Sequence, residues 1–497
     1  MKILLVQPAP FEPGRIGLEN SLWLSEPVAL TQLAAMVPDH QVRILDLRLD
    51  PDLVLNETLL EFRPDLVGVT SMTTDAYQAM AVLTVAKGTL GANVFTILGG
   101  HHPTLAPHEF EHEHVDAVCI GEGEDTFAEL VAHLDGGGDR HALDAIAGLR
   151  FRGADGRYRT TAKRPQNREL DTFPPPARHL IPQRYRSEYF FFIAGPMASM
   201  QTSRGCSFDC NFCAIWEFYE RRTRYLSASA ICDRLEAMPE RFVFFLDDNF
   251  LTNRKRLEAL CDEIERRKID KYFLTQGRTD FIADHPDLMK RLRDCGLMMV
   301  LSGYESNDDD ALAALRKKTT FDRNVRAAQI LGSLGIISTG IFMVRPEFDA
   351  SDFERLWAVI NEMKIMIPLL TILTPLPGTQ LWQQRQHALL TRDVRFFDLL
   401  HAVTETKLPR EEFYRLFASH NSRVDIDRMW QLTYDFIRAR PKLFLRALPS
   451  MLRFRQRQNR YRPILEDYRS HLRDEVGTIA ARPARRRVEL PVLGRSA

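Results

Sequence analysis

Residues 203–219 read SRGCSFDCNFCAIWEFY, and three of the seven cysteines in the 497-residue chain, Cys206, Cys210 and Cys213, fall within eight positions of it. A structural zinc needs four ligands, usually in two pairs. Outside the stretch the nearest cysteine is Cys232 and the nearest histidine is His179, and neither repeats a pairing pattern. A cluster held by four cysteines lacks its fourth ligand for the same reason. Three thiolates on a four-iron cluster leave one iron open to something else, which gives a purpose to three cysteines without a fourth. Gly205 allows a tight turn ahead of the first cysteine, and Phe212 places an aromatic ring beside the last.

Working outward, the stretch follows an apolar run, MASMQTS (197–203). Similar runs recur at RFVFFLDD (241–248), KYFLTQGR (271–278), LMMVLSGYE (297–305), IISTGIFMV (336–344) and PLLTILTPL (368–376). Amphipathic stretches predict helices between them, at 227–238, 254–267, 286–294, 308–316, 321–334 and 351–363. Six βα units over 196–400 predict a partial (β/α)6 barrel of TIM type, whose site lies at the carboxyl ends of the strands. The cysteines follow the first strand and Asp247-Asp248-Asn249 the second. Gln276 and Arg278 end the third, and Gly303, Glu305 and Ser306 end the fourth. Each polar residue alone could be strand-end solvation; together they define one mouth.

Residues 1–135 carry a second α/β rhythm. KILLVQPA (2–9), VRILDLR (42–48), LVGVTSM (66–72), VFTILGG (94–100) and AVCIGEG (117–123) fit buried parallel strands, with EPVALTQLAAMV (26–37) and DAYQAMAVLTVAKGTL (75–90) as helices. This predicts a doubly wound, Rossmann-like domain that binds ligands at its strand ends. Those ends carry Ser71, Met72, Gly99, Gly100, Gly121, Glu122 and Gly123. A G-x-G-x-x-G loop is absent, which disfavours a nicotinamide cofactor. The glycines alone could equally be turning the chain. Residues 136–195 read as a connector, punctuated by GGGD (136–139) and FPPPAR (173–178), with a hairpin at LRFRGADGRYR (149–159).

The totals agree with an ordinary multi-domain globular chain: 45% apolar, 27% charged and no net charge. Few, scattered cysteines argue against a disulfide scaffold and for a reducing, cytoplasmic home. The MKILLVQPAP start does not resemble a signal peptide, and no apolar run reaches the roughly 18 residues of a membrane-spanning helix.

CSFDCNFC is similar to the signature of the radical S-adenosylmethionine (SAM) superfamily, whose fold is the partial barrel already expected. The resemblance implies a [4Fe–4S] cluster on Cys206, Cys210 and Cys213, with SAM chelated by the open iron. It further implies SAM contacts at Phe212, at Asp247 and Asp248, at Gln276 and Arg278, and at Gly303, Glu305 and Ser306. Through EPVALTQLAAMV, VGVTSM, ILGGHHPTL and CIGEGEDTF, the first domain resembles the cobalamin-binding domain found ahead of many such proteins. Cobalamin contacts are then expected from Ser71, Met72, Gly99, Gly100, Gly121, Glu122 and Gly123. No D-x-H-x-x-G segment is present to supply a lower ligand to cobalt, and His101 and His102 read as polar loop residues rather than ligands. The family chemistry is hydrogen abstraction by a 5′-deoxyadenosyl radical, followed by methyl transfer from methylcobalamin to an unactivated carbon. It consumes two SAM molecules per turnover and needs an electron donor of flavodoxin or ferredoxin type.

Residues 401–497 leave the βα pattern and read as helical. From Arg438 to Arg462 nine Lys or Arg interleave with Leu443, Phe444, Leu445, Leu448, Met451, Leu452 and Phe454, with no Asp or Glu. Such a stretch fits peripheral contact with the inner face of an anionic membrane, or a helical cap with a solvated basic face. No RNA-reading module accompanies it, so a nucleic-acid partner is not expected. The tail ARPARRRVELPVLGRSA is expected to be disordered. CNFCAIWEFY, FLDDNFL and DLLHAVTETKLPREEFYR most resemble the hopanoid C-3 methylases, which implies a lipid or other hydrophobic small-molecule substrate. Related members act on tetrapyrroles or antibiotic precursors with the same core motifs. A cobalamin-dependent sensor with a degenerate barrel is the reading from another class, and the intact cysteines and GYES strand argue against it.

Overall fold

The computed structural model describes residues 1–9, 23–50, 55–192, 194–423 and 452. In the first domain, β1 (Lys2–Gln7), β3 (Gln41–Asp46), β4 (Leu66–Thr70), β5 (Phe95–Gly99) and β6 (Ala117–Cys119) form a parallel sheet in the order β3-β1-β4-β5-β6. The short β2 (Trp23–Leu24) pairs elsewhere. Ile3, Leu4, Leu5 and Val6 of β1 are at most 1% exposed, because this strand is buried on both faces. One face packs α1 (Val28–Ala35) and α5 (Glu124–Asp135) through Leu30, Phe127 and Leu130. The other packs α2 (Leu55–Phe62) and α3 (Ala76–Leu90) through Leu59, Met80 and Leu83, while the short α4 (His101–Leu105) follows β5.

The hairpin expected in the connector does form, as β7 (Leu149–Arg152) and β8 (Tyr158–Thr160). It does not stand apart: β7 pairs antiparallel with β6 and completes a seven-stranded sheet. Phe151, which pairs with Ala117, is fully buried in the same core. The connector then runs through a single helical turn, α6 (Gln183–Arg186), to β9 (Phe190–Phe191), the partner of β2.

The second domain is a six-stranded parallel sheet in sequential order: β10 (Met197–Met200), β13 (Phe242–Phe245), β14 (Tyr272–Gln276), β15 (Leu297–Glu305), β16 (Ile337–Val344) and β17 (Ile367–Ile372). Side-chain alternation sorts the two faces. Phe244, Leu274, Met299, Ile337 and Ile367 meet inside the barrel, where Phe190, Phe191 and Phe192 plug one end. Val243, Phe245, Phe273 and Val300 face outward to the helices. Those are α8 (Ala228–Ala237), α9 (Arg254–Arg267), α10 (Thr279–Asp284), α11 (Pro286–Asp294), α12 (Asp309–Ala314), α13 (Phe321–Leu334) and α14 (Ala350–Glu362), preceded by the short α7 (Ile215–Phe218) of the cysteine loop.

Local chemistry sets the boundaries. Asn253 caps α9, Thr320 caps α13, and Asp349 with Asp352 forms a capping box on α14. Beyond the barrel come α15 (Gln380–Arg385) and α16 (Arg410–Arg423). The basic stretch at 438–462 and the tail expected to be disordered lie outside the described residues, apart from Leu452. Among the described residues no helix is long and apolar enough to cross a membrane.

Candidate active site at the barrel mouth

The loop holding Cys206, Cys210 and Cys213 leaves β10 through a two-residue ribbon, β11 (Ser203–Arg204) with β12 (Arg224–Tyr225). Gly205 then turns the chain at φ 89°. A Cβ there would lie 2.1 Å from the Arg222 carbonyl oxygen, so the turn requires glycine. The loop is clamped from below. Asn211 donates its amide to the Leu315 oxygen at 3.2 Å and its side-chain nitrogen to the Ala314 oxygen at 2.9 Å, while Trp216 donates to the Cys210 oxygen at 2.9 Å.

The three thiols are close enough for each charge to act on the others. Burial raises Cys206, and raises Cys213 to about 12, with the neighbouring cysteines adding to the rise. Burial that disfavours the Cys206 and Cys213 thiolates calls for a cation to hold them ionised. Among the described residues no three His, Cys, Asp or Glu converge on one point as ligands of a single metal ion. A multi-iron cluster fits that spacing, since each thiolate takes its own iron. Cys232 is buried in α8 under the helical layer and is no fourth ligand.

Around the thiols the barrel supplies an ordered polar rim. Arg278 is buried, with its guanidinium 3.5 Å from the Phe208 ring centroid and Nη1 3.8 Å from Cys210 Sγ. Asp280 fixes it through Nε at 3.0 Å and Nη2 at 2.9 Å, and the Lys317 carbonyl takes a further bond. Glu305 sits at φ 62°, just past an irregularity in the β15–β16 register, and its Oε1 accepts from Lys317 Nζ at 2.6 Å. Gly303 makes room for that pair, since a Cβ would stand 2.0 Å from Glu305 Oε1. Among the described residues, Glu305 Oε2 and Thr339 Oγ1 are buried with no hydrogen-bond partner. Buried polar atoms are seldom left so, and these two fit a ligand that supplies the missing bonds. Gln276 ends β14 at the same mouth, Ser306 is buried behind it, and Phe212 packs with Leu315, Leu373 and Leu381.

The two aspartates part company. Asp248 Oδ2 accepts from the Gly205 amide at 2.8 Å, and burial raises its carboxyl to about 6. Asp247, expected as a cofactor contact, has another task. Alternation turns it to the helix side, where it accepts from the Thr202 amide at 2.6 Å and the Ser203 hydroxyl at 2.6 Å, with Arg256 at 3.6 Å. Fully buried, it holds the strand that leads into the cysteine loop.

The strand ends of the first domain face this mouth, and here too the expected contacts divide. Gly121, at φ 87°, borders open space, and Met72 is 55% exposed at the end of β4, so both leave a surface for a broad ligand. Gly100 is a glycine for packing reasons, since a Cβ there would meet the Ser71 oxygen at 2.5 Å, whereas a Cβ on Gly99 would only touch Cys119 at 3.5 Å. Ser71 is fully buried, its hydroxyl turned to Asp75 at 3.0 Å, and Gly123 starts α5 against Leu33. Glu122 is engaged by two arginines. It accepts from Arg224 at 2.7 and 2.8 Å and from Arg204 at 2.8 Å, and these arginines hold it ionised against the opposing effect of burial. Arg204 also pairs with Glu124. His102 is engaged by Thr73 at 3.4 Å and Glu109 at 3.1 Å, and His101 stacks on Phe218 at 4.7 Å.

Four residues that the motifs did not single out therefore matter here: Lys317, Arg204, Arg224 and Glu124. Arg204 adjoins the cysteine signature and could have been noticed. Lys317 lies in RKKTT, a run that reads as solvated surface.

Comparison with known proteins agrees with this architecture. Residues 14–131 match the B12 binding domain family and residues 200–358 the radical SAM superfamily. The chain is 29% identical over 423 residues to a hopanoid C-3 methylase of Methylococcus capsulatus, covering 83% of this chain and 78% of the relative. It is 29% identical over 463 residues to an uncharacterized methyltransferase of Pyrococcus horikoshii, covering 90% and 95%. An anaerobic magnesium-protoporphyrin IX monomethyl ester cyclase of Rubrivivax gelatinosus is 26% identical over 337 residues, covering 66% and 60%. In fold, the chain is similar to the cobalamin-dependent S-adenosylmethionine radical enzyme OxsB, with TM-score 0.66 at 14% identity over 96% of this chain and 81% of that one. The chain thus carries a B12-binding domain followed by a radical SAM domain and is an enzyme of the cobalamin-dependent radical SAM methyltransferase kind, with cobalamin, a [4Fe–4S] cluster and SAM as its cofactors.

Proposed function

We propose that the protein methylates an unactivated carbon of an apolar lipid, C-3 of a hopanoid, between its two domains. The observation that carries the reading is the three-cysteine loop at the barrel mouth, tied by Arg204 and Arg224 to Glu122 at the end of β6. When bound, the cofactors supply a 5′-deoxyadenosyl radical from SAM and a methyl group from cobalamin. The chain holds the cluster through Cys206, Cys210 and Cys213. Arg278, fixed by Asp280, places positive charge beside Cys210 and a cation over the Phe208 face. Glu305 Oε2 and Thr339 Oγ1 await a ligand's hydroxyl or amine donors. Phe190, Phe191 and Phe192 fill the barrel end away from the mouth with apolar side chains, which limits water on that side of a reactive intermediate. The hopanoid assignment rests on the similarity to the Methylococcus methylase and on the basic, apolar 438–462 stretch, whose expected membrane contact lies outside the described residues. A second reading, modification of a tetrapyrrole, is favoured by the similarity to the Rubrivivax cyclase.

Anaerobic reconstitution tests both. The protein should bind about four irons and one cobalamin, cleave SAM to 5′-deoxyadenosine under dithionite, and add a methyl group to a hopanoid in detergent. Cys210→Ala should abolish cluster binding and SAM cleavage while cobalamin still binds. Methylation of a tetrapyrrole instead would select the second reading. Retained SAM cleavage in Cys210→Ala would overturn the cluster assignment.

A further inference from the structure

The cluster loop needs an electron from outside the protein, and the structure offers one basic groove directly behind it. A groove of about 410 Å³ is lined by Ala313, Arg316, Lys318, Thr319, Thr320 and Arg323, three cations and no carboxylate. All three cations are exposed. Among the described residues Arg316 donates to a neutral partner, Gln380, at 2.7 Å. Lys318 reaches Asp209 inside the cysteine loop at 2.6 Å, and Arg323 reaches Asp284 at 3.1 Å. One exposed carboxylate borders the rim: Asp309, at the start of α12, accepts from the Phe321 amide at 2.6 Å, beside Thr320 of the lining.

The groove adjoins the backbone that clamps the cluster loop, since its lining residues Ala313 and Arg316 flank Ala314 and Leu315 in the chain. Ala314 and Leu315 accept the two bonds from Asn211, the residue after Cys210. A protein docked there would approach the cluster without entering the space reserved for SAM and substrate.

We infer that this groove docks an acidic, low-potential electron-carrier protein of the flavodoxin or ferredoxin kind, with Arg316 and Arg323 steering its carboxylates. The inference rests on reading the cysteine loop as the seat of a reducible cluster. In the step it serves, a flavin hydroquinone anion gives up one electron and becomes the neutral semiquinone, and the cluster passes from the 2+ to the 1+ state. No proton need be exchanged. Charged rims act on association rate and its salt dependence, so the effect should weaken as ionic strength rises.

The test uses the reconstituted holoenzyme and photoreduced flavodoxin. In the double variant Arg316→Glu/Arg323→Glu, flavodoxin affinity and the rate of flavodoxin-driven cluster bleaching should each fall at least tenfold. Dithionite-driven 5′-deoxyadenosine formation should stay at the wild-type level, and Arg316→Lys/Arg323→Lys should retain affinity. Unchanged affinity and rate in the charge-reversed variant would overturn the proposal. So would an equal loss with dithionite, which would assign the groove to the cofactor site itself. Wild-type protein that binds flavodoxin in a salt-sensitive way yet cleaves no SAM under dithionite would support the groove and overturn the proposed function.

Discussion

Lys317 and Glu305 show how much a single buried contact can hold at this mouth. Their side chains are 8% and 5% exposed, and the pair sits between the strand end and the arginine beside the cysteines. Removing one partner of such a pair leaves a buried charge uncompensated, at a cost of about 3–5 kcal/mol, whereas replacing both with apolar groups is often near neutral. Lys317→Met should therefore lower the stability of the cofactor-free protein by about that amount in urea unfolding. Lys317→Met/Glu305→Leu should recover most of the loss while still failing to cleave SAM. Equal destabilisation by the single and double variants would show that the lysine acts through packing instead.

Among the elements, α4 and α7 meet through the stacked rings of His101 and Phe218, one from each domain. Burial lowers the His101 imidazole from 6.5 to about 4. The native ring then stays neutral over a range in which the unfolded chain takes up a proton, so stability falls as pH drops from 6.5 towards 4 and is unaffected above 6.5. The penalty reaches about 3 kcal/mol at most, less for the ring's partial exposure. His101→Phe should flatten this part of the pH–stability curve, measured by denaturant midpoints at pH 7 and pH 4.5.

The elements themselves were legible in the chain because buried parallel strands are near-continuous apolar runs and their helices carry caps. Leu297–Glu305, Arg254–Arg267, Pro286–Asp294 and Phe321–Leu334 begin and end where the pattern places them. What a one-dimensional pattern lacks is the direction of a side chain at a strand end. Asp247 and Asp248 are neighbours with identical chemistry, yet alternation sends one to the helical layer and one to the cysteine loop. Glu122 likewise ends a strand as expected, but its charge meets arginines some eighty and a hundred residues later. The β7–β8 hairpin was visible as a hairpin, and only its pairing partner, β6, was not.

Across the whole molecule, three carboxylates of the first domain, Glu26, Glu122 and Glu124, are turned to the chain that follows it. Glu26 accepts from the Ser199 amide at 2.9 Å and from Arg178 at 3.0 Å, and Glu122 is shared by Arg204 and Arg224. In the β11–β12 ribbon Arg204 and Arg224 stand directly opposite each other, so both reach the same acceptor. Glu122→Ala should cost about 3–5 kcal/mol and split a single thermal transition into two, seen by calorimetry, with cobalamin binding kept. The depressed carboxyl of Glu122 adds stability above the usual carboxylate range, and that contribution is lost as pH falls through its native value.

That shared carboxylate also bears on how freely such chains can be recombined. The two halves look like interchangeable modules, yet Arg204 is the residue two before Cys206 and its acceptors Glu122 and Glu124 belong to the other half. A chimera that imports a foreign first domain without acidic residues at these two places would strand two arginines beside the cysteine loop. Anyone shuffling substrate specificity by domain exchange should transplant Glu122, Glu124, Arg204 and Arg224 as one set.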